Sequence, residues 1–90
     1  LFSRSAELLW HSGADAVTSF QLPGTRHHKS FCKLCGSALP SNAIAGLLVV
    51  PAGCLDTAIG MSPTAHLFSA SKAAWEEALV NAPAFEALPD

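Results

Sequence analysis

The stretch Phe31-Cys32-Lys33-Leu34-Cys35-Gly36-Ser37-Ala38 constrains this chain more than any other. Two cysteines stand two residues apart, and a glycine follows the second. Thiolates at this spacing can both reach one metal ion at about 2.3 Å. The glycine lets the backbone turn where a side chain would be costly. It also leaves backbone N–H groups free to point at the sulfurs, which tunes a thiolate site. The spacing suits three chemistries: a metal knuckle, thiol–disulfide exchange, or a pair of buried free thiols. Redox cysteines usually sit at a helix N-terminus, where the thiol pKa falls, and Ser37-Ala38-Leu39-Pro40 leaves little room for a helix. The first reading is therefore a zinc site with Cys32 and Cys35 as ligands. A structural zinc needs four ligands and a catalytic one three from the protein, yet the only other cysteine is Cys54. Either the site is unusual, or its other half is expected outside these 90 residues.

Composition narrows the classes. Half the residues are apolar and only 13% are charged, which argues against a disordered chain. The surface of a free-standing small domain usually carries about 25–35% charge. So sparse a supply fits a piece that packs against further chain or a partner; the other reading is an alanine-rich surface. The opening Leu1-Phe2-Ser3-Arg4-Ser5 reads as a connector entered from something earlier. The net charge is −2, and Arg26-His27-His28-Lys29 is the only locally basic run. Counterion release from a phosphate backbone takes several lysines or arginines, so nucleic acid is not an expected partner. The apolar stretches fall far short of the roughly 20 residues of a membrane span, and the start lacks a signal-peptide pattern. Three cysteines with two close together do not make a disulfide framework. They fit metal or redox chemistry in a reducing, cytoplasmic compartment.

Along the chain, Ala6 to His11 is a short apolar run, and Gly13-Ala14-Asp15 reads as a turn into a strand over 17–22. Together these predict a β-hairpin. Pro23-Gly24 is a strong turn signal. His27 to Phe31 is the next strand, leading into the cysteine pair. Residues 43–50 read as a buried strand, favoured by Gly46 and the paired valines. Residues 65–68 are a short strand candidate. Ser71 to Leu79 reads in isolation as a short helix, with Ser71 as cap and Trp75 and Leu79 on one face. Phe85 and Leu88 are expected to pack the tail back on the body.

Several single residues could carry chemistry. Cys54 reads first as a core cysteine, since free cysteine is among the most buried residue types, and second as a ligand or reactive thiol. His27 and His28 are adjacent, so in a strand they face opposite sides. They read first as a solvent-facing pair. His66, between Ala65 and Leu67-Phe68, reads as a hydrogen-bonded core or pocket residue before a ligand. Asp56 could cap a turn. Lys72 and Trp75 read as surface residues that could also line an anion-accepting pocket. No Ser/His/Asp arrangement, phosphate-cradling glycine motif or carboxylate pair stands out.

Four blocks then occur in order: Phe31 to Leu39 around the cysteine pair, Val50-Pro51-Ala52-Gly53-Cys54-Leu55-Asp56, Pro63 through Trp75, and Pro83-Ala84-Phe85-Glu86. This series resembles the glutathione-dependent formaldehyde-activating enzymes, a family that includes the centromere-protein-V-like proteins. The resemblance covers nearly all of residues 1–90, read as the C-terminal two thirds of one family domain. It implies a mainly β fold, a small tent of coiled antiparallel sheets around zinc, here incomplete. Cys32 and Cys35 would supply half of a four-cysteine structural site, with a Cys-x-Cys pair upstream supplying the rest. A second, catalytic zinc would sit on a further upstream cysteine motif. Residues 64–69 would form a strand carrying His66 near the substrate side, and Lys72 to Trp75 a turn or strand. Lys33 departs from the family's proline or small residue, Leu39-Pro40-Ser41 from its aromatic-rich strand, and Cys54 from its serine or small residue.

The resemblance implies a carbon–sulfur lyase acting on the glutathione–formaldehyde adduct or a related small thiol adduct. Metal ligands Cys32 and Cys35 and pocket candidates His66, Lys72 and Trp75 are the residues carried forward. The alternative is a non-catalytic zinc scaffold for protein interaction or assembly. A homodimer could complete such a site, because two cysteine pairs make a closed set of four.

Overall fold

The computed structural model describes residues 1–89. The chain divides into two compact units, residues 1–60 and the residues from 61 onward.

The first unit is built from six short strands in two antiparallel three-stranded sheets. One sheet has the order β2-β3-β4, from Val17–Gln21, His28–Cys32 and Ala38–Leu39. The other has the order β1-β6-β5, from Phe2–Ser3, Leu47–Val49 and Ser41–Ile44. This is the small, mostly β architecture with two antiparallel sheets that the resemblance implies.

Local chemistry explains most boundaries. The β1 strand stops because the Ser3 hydroxyl accepts the N–H groups of Ser5 and Ala6, at 3.3 and 3.0 Å, diverting backbone donors from a ladder. Gly13, at φ 75°, then leads into a single 3-10 turn over Ala14–Ala16. The expected hairpin between Ala6–His11 and 17–22 is therefore absent: residues 6–10 have no regular structure. The strand β2 pairs downstream with β3 instead, in a register running from Val17 opposite Cys32 to Gln21 opposite His28. The cause is Leu22-Pro23-Gly24-Thr25. Proline presets the first central residue of a type II turn, and the second needs positive φ; Gly24 supplies 76°. Thr25 N–H reaches Leu22 O at 3.1 Å and closes the turn.

The expected strand over 43–50 is instead a hairpin. Ile44 pairs with Leu47 across Ala45-Gly46, and Gly46 holds φ 74°. Gly46 and the paired valines suggest one strand, but a left-handed glycine redirects the chain at little steric cost. Pro40 separates β4 from β5. Having no N–H, proline cannot continue a ladder, and the chain passes there from one sheet to the other. The two sheets meet where His28 Nδ1 lies 3.4 Å from Ser41 Oγ. His28 is half-buried and His27 exposed, so the two do alternate, though not as a solvent-facing pair.

Among the described residues only Leu48 and Ser30 are buried, at 8% and 7% exposure. Leu48 lies on β6, the central strand of its sheet. Ser30, on the central strand of the other, shares a 3.2 Å hydroxyl contact with Ser19 directly opposite. The sheets are thus organised more by ladders and polar cross-links than by apolar burial.

The second unit contains 3-10 turns over Ser69–Ser71 and Glu76–Asn81, and no strand among the described residues. The strand expected at 64–69 does not form. Phe68 takes a left-handed conformation, φ 56°, which interrupts any extended run, and a turn follows. The expected helix is reduced to the 3-10 segment. Trp75, not Ser71, occupies its N-terminal cap, without a side-chain hydrogen bond. Trp75 and Leu79 are exposed, as are Phe85 and Leu88.

Replacing a buried leucine with alanine costs about 2–5 kcal/mol. Leu48→Ala is expected to lower the unfolding free energy of the first unit, measured by urea denaturation, by the lower part of that range, whereas Leu34→Ala, at a site 81% exposed, should leave it unchanged.

Candidate metal centre and neighbouring cavity

The β3–β4 connection builds the thiol pair. Cys32 is the last residue of β3, held in register opposite Val17. Its backbone N–H donates to Ser37 O at 2.9 Å, and its carbonyl accepts from Gly36 N–H at 2.7 Å. Lys33 N–H continues the sheet edge by donating to Ala16 O at 2.8 Å. The turn closes because Gly36 adopts φ 77°. An added side chain would meet no neighbour there, so the requirement is backbone conformation and not space. Past the turn, Phe31 pairs with Ala38 and Ser30 with Leu39.

Cys32 is half-buried and Cys35 exposed. Cys35 Sγ lies 3.2 Å from Ser37 Oγ. The Ser37 hydroxyl, then the Ser37 backbone N–H and then the Cys32 thiol favour the charged sulfur, and they hold the Cys35 pKa below the ordinary thiol value. Ser37 thus touches both cysteines: its carbonyl fixes the backbone of Cys32, and its hydroxyl meets the sulfur of Cys35. The sequence reading passed over Ser37. The available signal was a hydroxyl residue two positions beyond the second cysteine.

Two softly basic sulfurs on one tight turn fit two positions of a tetrahedral thiolate site. Among the described residues no group of three or more His, Cys, Asp or Glu side chains is gathered for a metal. Cys54 is half-buried, and its thiol donates to Ala38 O on β4 at 3.2 Å. That contact caps an edge-strand carbonyl, in keeping with a structural role.

In the second unit, His66 and Lys72 both line a cavity of about 780 Å³, together with Phe68, Ser69, Glu76 and Glu77. Trp75 is not part of its wall. Lys72 Nζ pairs with the Glu77 carboxylate, and both side chains are solvent-accessible, so the pair adds little stability. The sequence reading passed over Glu77 as well. Five residues from Lys72, it stands outside the three- and four-residue spacings that bring helical side chains together.

A small β unit carrying a paired-thiol turn defines a class of candidate metal-binding domains. The family model described as glutathione-dependent formaldehyde-activating enzyme matches residues 1–71, and the chain belongs to that family. His66 falls inside the matched stretch; Lys72 and Trp75 fall beyond it. Comparison with curated proteins gave no match, and neither did comparison with solved structures. Among the described residues no helix is long and apolar enough to cross a membrane.

The depressed Cys35 pKa has a direct consequence. In metal-free protein, alkylation of Cys35 by iodoacetamide should reach half its maximal rate below pH 9.0, the ordinary thiol value, and fall away as the pH drops through the lowered pKa. Peptide mass spectrometry of the alkylated protein across a pH series measures it; a midpoint at or above the ordinary value would contradict the contacts to Ser37.

Proposed function

We propose that this chain is a zinc-binding member of its family, in which Cys32 and Cys35 supply two thiolates of a structural site. The observation that carries the reading is the turn itself. The β3 ladder fixes Cys32, the left-handed Gly36 reverses the chain, and Ser37 meets the Cys35 sulfur. Zinc bound there would clamp the β3–β4 connection, contributing to stability as structural zinc does elsewhere. In this reading the remaining donors would have to come from outside residues 1–90.

The activity in this reading is that of a carbon–sulfur lyase on the glutathione–formaldehyde adduct or a related small thiol adduct. Family membership supports it. The depression beside His66 and Lys72 is open to solvent and walled mostly by exposed residues, and it would admit a small ligand at the surface. The Lys72 ammonium would attract a carboxylate of such an adduct, exchanging its contact with Glu77. The His66 imidazole would accept or donate a hydrogen bond at the adduct's hydroxyl. Trp75, outside the cavity wall, has no assigned part in this step.

A second reading, a non-catalytic scaffold whose zinc is shared between two copies, is favoured by one observation. The thiol pair has no third donor near it among the described residues, and Cys35 is exposed. Two pairs would make a complete set of four thiolates.

Zinc content and intact mass on one purified sample distinguish the readings. The first predicts at least one zinc per chain that Cys32→Ser and Cys35→Ser each remove. The second predicts half a zinc per chain and a dimer. Full zinc and unchanged stability in both serine variants would refute any role for the pair. For the cavity, Lys72→Ala should weaken binding of S-hydroxymethylglutathione about tenfold by calorimetry, in the range of a lost charge-assisted contact; equal binding would remove Lys72 from the site.

A further inference from the structure

We infer that Ser37 is the positioning residue of the thiolate pair, and that its hydroxyl, beyond its place in the turn, sets how tightly the pair holds its metal. The inference rests on the zinc reading of Cys32 and Cys35. It stands on the contacts of one residue to both ligands: Cys32 N–H to Ser37 O at 2.9 Å, and Cys35 Sγ to Ser37 Oγ at 3.2 Å. The first contact is made by the backbone and would survive almost any side chain. The second depends on the hydroxyl alone.

A hydroxyl is both donor and acceptor, and its hydrogen rotates to suit its partner. Beside a protonated Cys35 it accepts the weak S–H bond. Beside the deprotonated sulfur of a metal-bound Cys35 it turns and donates. The same atom therefore serves both states without movement of the backbone, which the Cys32–Ser37 and Gly36–Cys32 bonds hold in place. A donor aimed at a thiolate draws electron density from the sulfur and fixes its direction. Partners of this kind typically alter metal affinity by 10- to 100-fold. Cys35 needs this help more than Cys32. Cys32 ends a paired strand and is half-buried, while Cys35 lies on the turn and is exposed. The two ligands are consequently unequal: Cys32 is placed by the sheet, and Cys35 by Ser37.

The test compares Ser37→Thr with Ser37→Val, two residues of nearly the same shape that differ in the hydroxyl. Full-length protein is stripped with chelator and titrated with cobalt(II), then with zinc in competition. Ser37→Thr is expected to match the parent protein. Ser37→Val is expected to bind at least tenfold more weakly, with the thiolate-to-cobalt charge-transfer band moved to lower energy because the sulfur has lost a donor. Circular dichroism of the metal-loaded variants should be the same. A merely structural role for Ser37 would change both variants alike and leave the band where it is. Equal affinity and an unshifted band in Ser37→Val would overturn the inference while leaving the zinc reading intact. Failure of the parent protein to take up either metal would overturn the zinc reading itself, and this inference with it.

Discussion

The structure turns on the backbone bond between Cys32 N–H and Ser37 O, which closes the loop joining β3 to β4. Everything near the thiols follows from it. The bond keeps Phe31 opposite Ala38, so β4 adds to the sheet. With Gly36 in the left-handed region, it also brings the Ser37 hydroxyl onto the Cys35 sulfur. Had the loop closed one residue later, β4 would present its opposite face, because side chains alternate along a strand. The Cys54 thiol, which now reaches Ala38 O, would then lose its acceptor.

Apolar burial contributes little by comparison. Fully burying a leucine stabilises by about 1.5–3 kcal/mol, and among the described residues Leu48, at 8% exposure, is the only large apolar side chain that approaches this. Large apolar groups such as Phe68, Val80 and Leu88 are more than 80% exposed. The proposed zinc would supply what burial does not. Structural zinc contributes on the order of 10–16 kcal/mol in small peptides at neutral pH.

Where a turn residue carries its own geometry, the sequence was readable. Pro23-Gly24 announced the β2–β3 turn, and the Cys35-Gly36 step announced the thiol loop. Reading failed where one residue's backbone state overrode a pattern. Gly46 was counted among strand residues, yet its positive φ splits 43–50 into a hairpin. Phe68 is a residue type that rarely takes positive φ, so nothing in its identity warned that the run from 64 to 69 would break there. Ala6 to His11 is an apolar run without a strand partner, because β2 pairs with β3 across Pro23-Gly24.

The same division runs through the candidate site. Cysteine spacing identified the thiol pair, and the apolar context of His66 suggested a pocket. Contacts set by folding were not legible: Ser37 against Cys35, Glu77 against Lys72, and the exclusion of Trp75 from the cavity wall. The central claim is that sulfur from this turn binds the metal. X-ray absorption at the zinc edge of the purified protein tests it most directly. The account predicts a sulfur shell at about 2.3 Å in the parent protein and loss of the bound zinc in Cys35→Ser. A shell of nitrogen and oxygen alone, near 2.0–2.2 Å and unchanged in that variant, would contradict it.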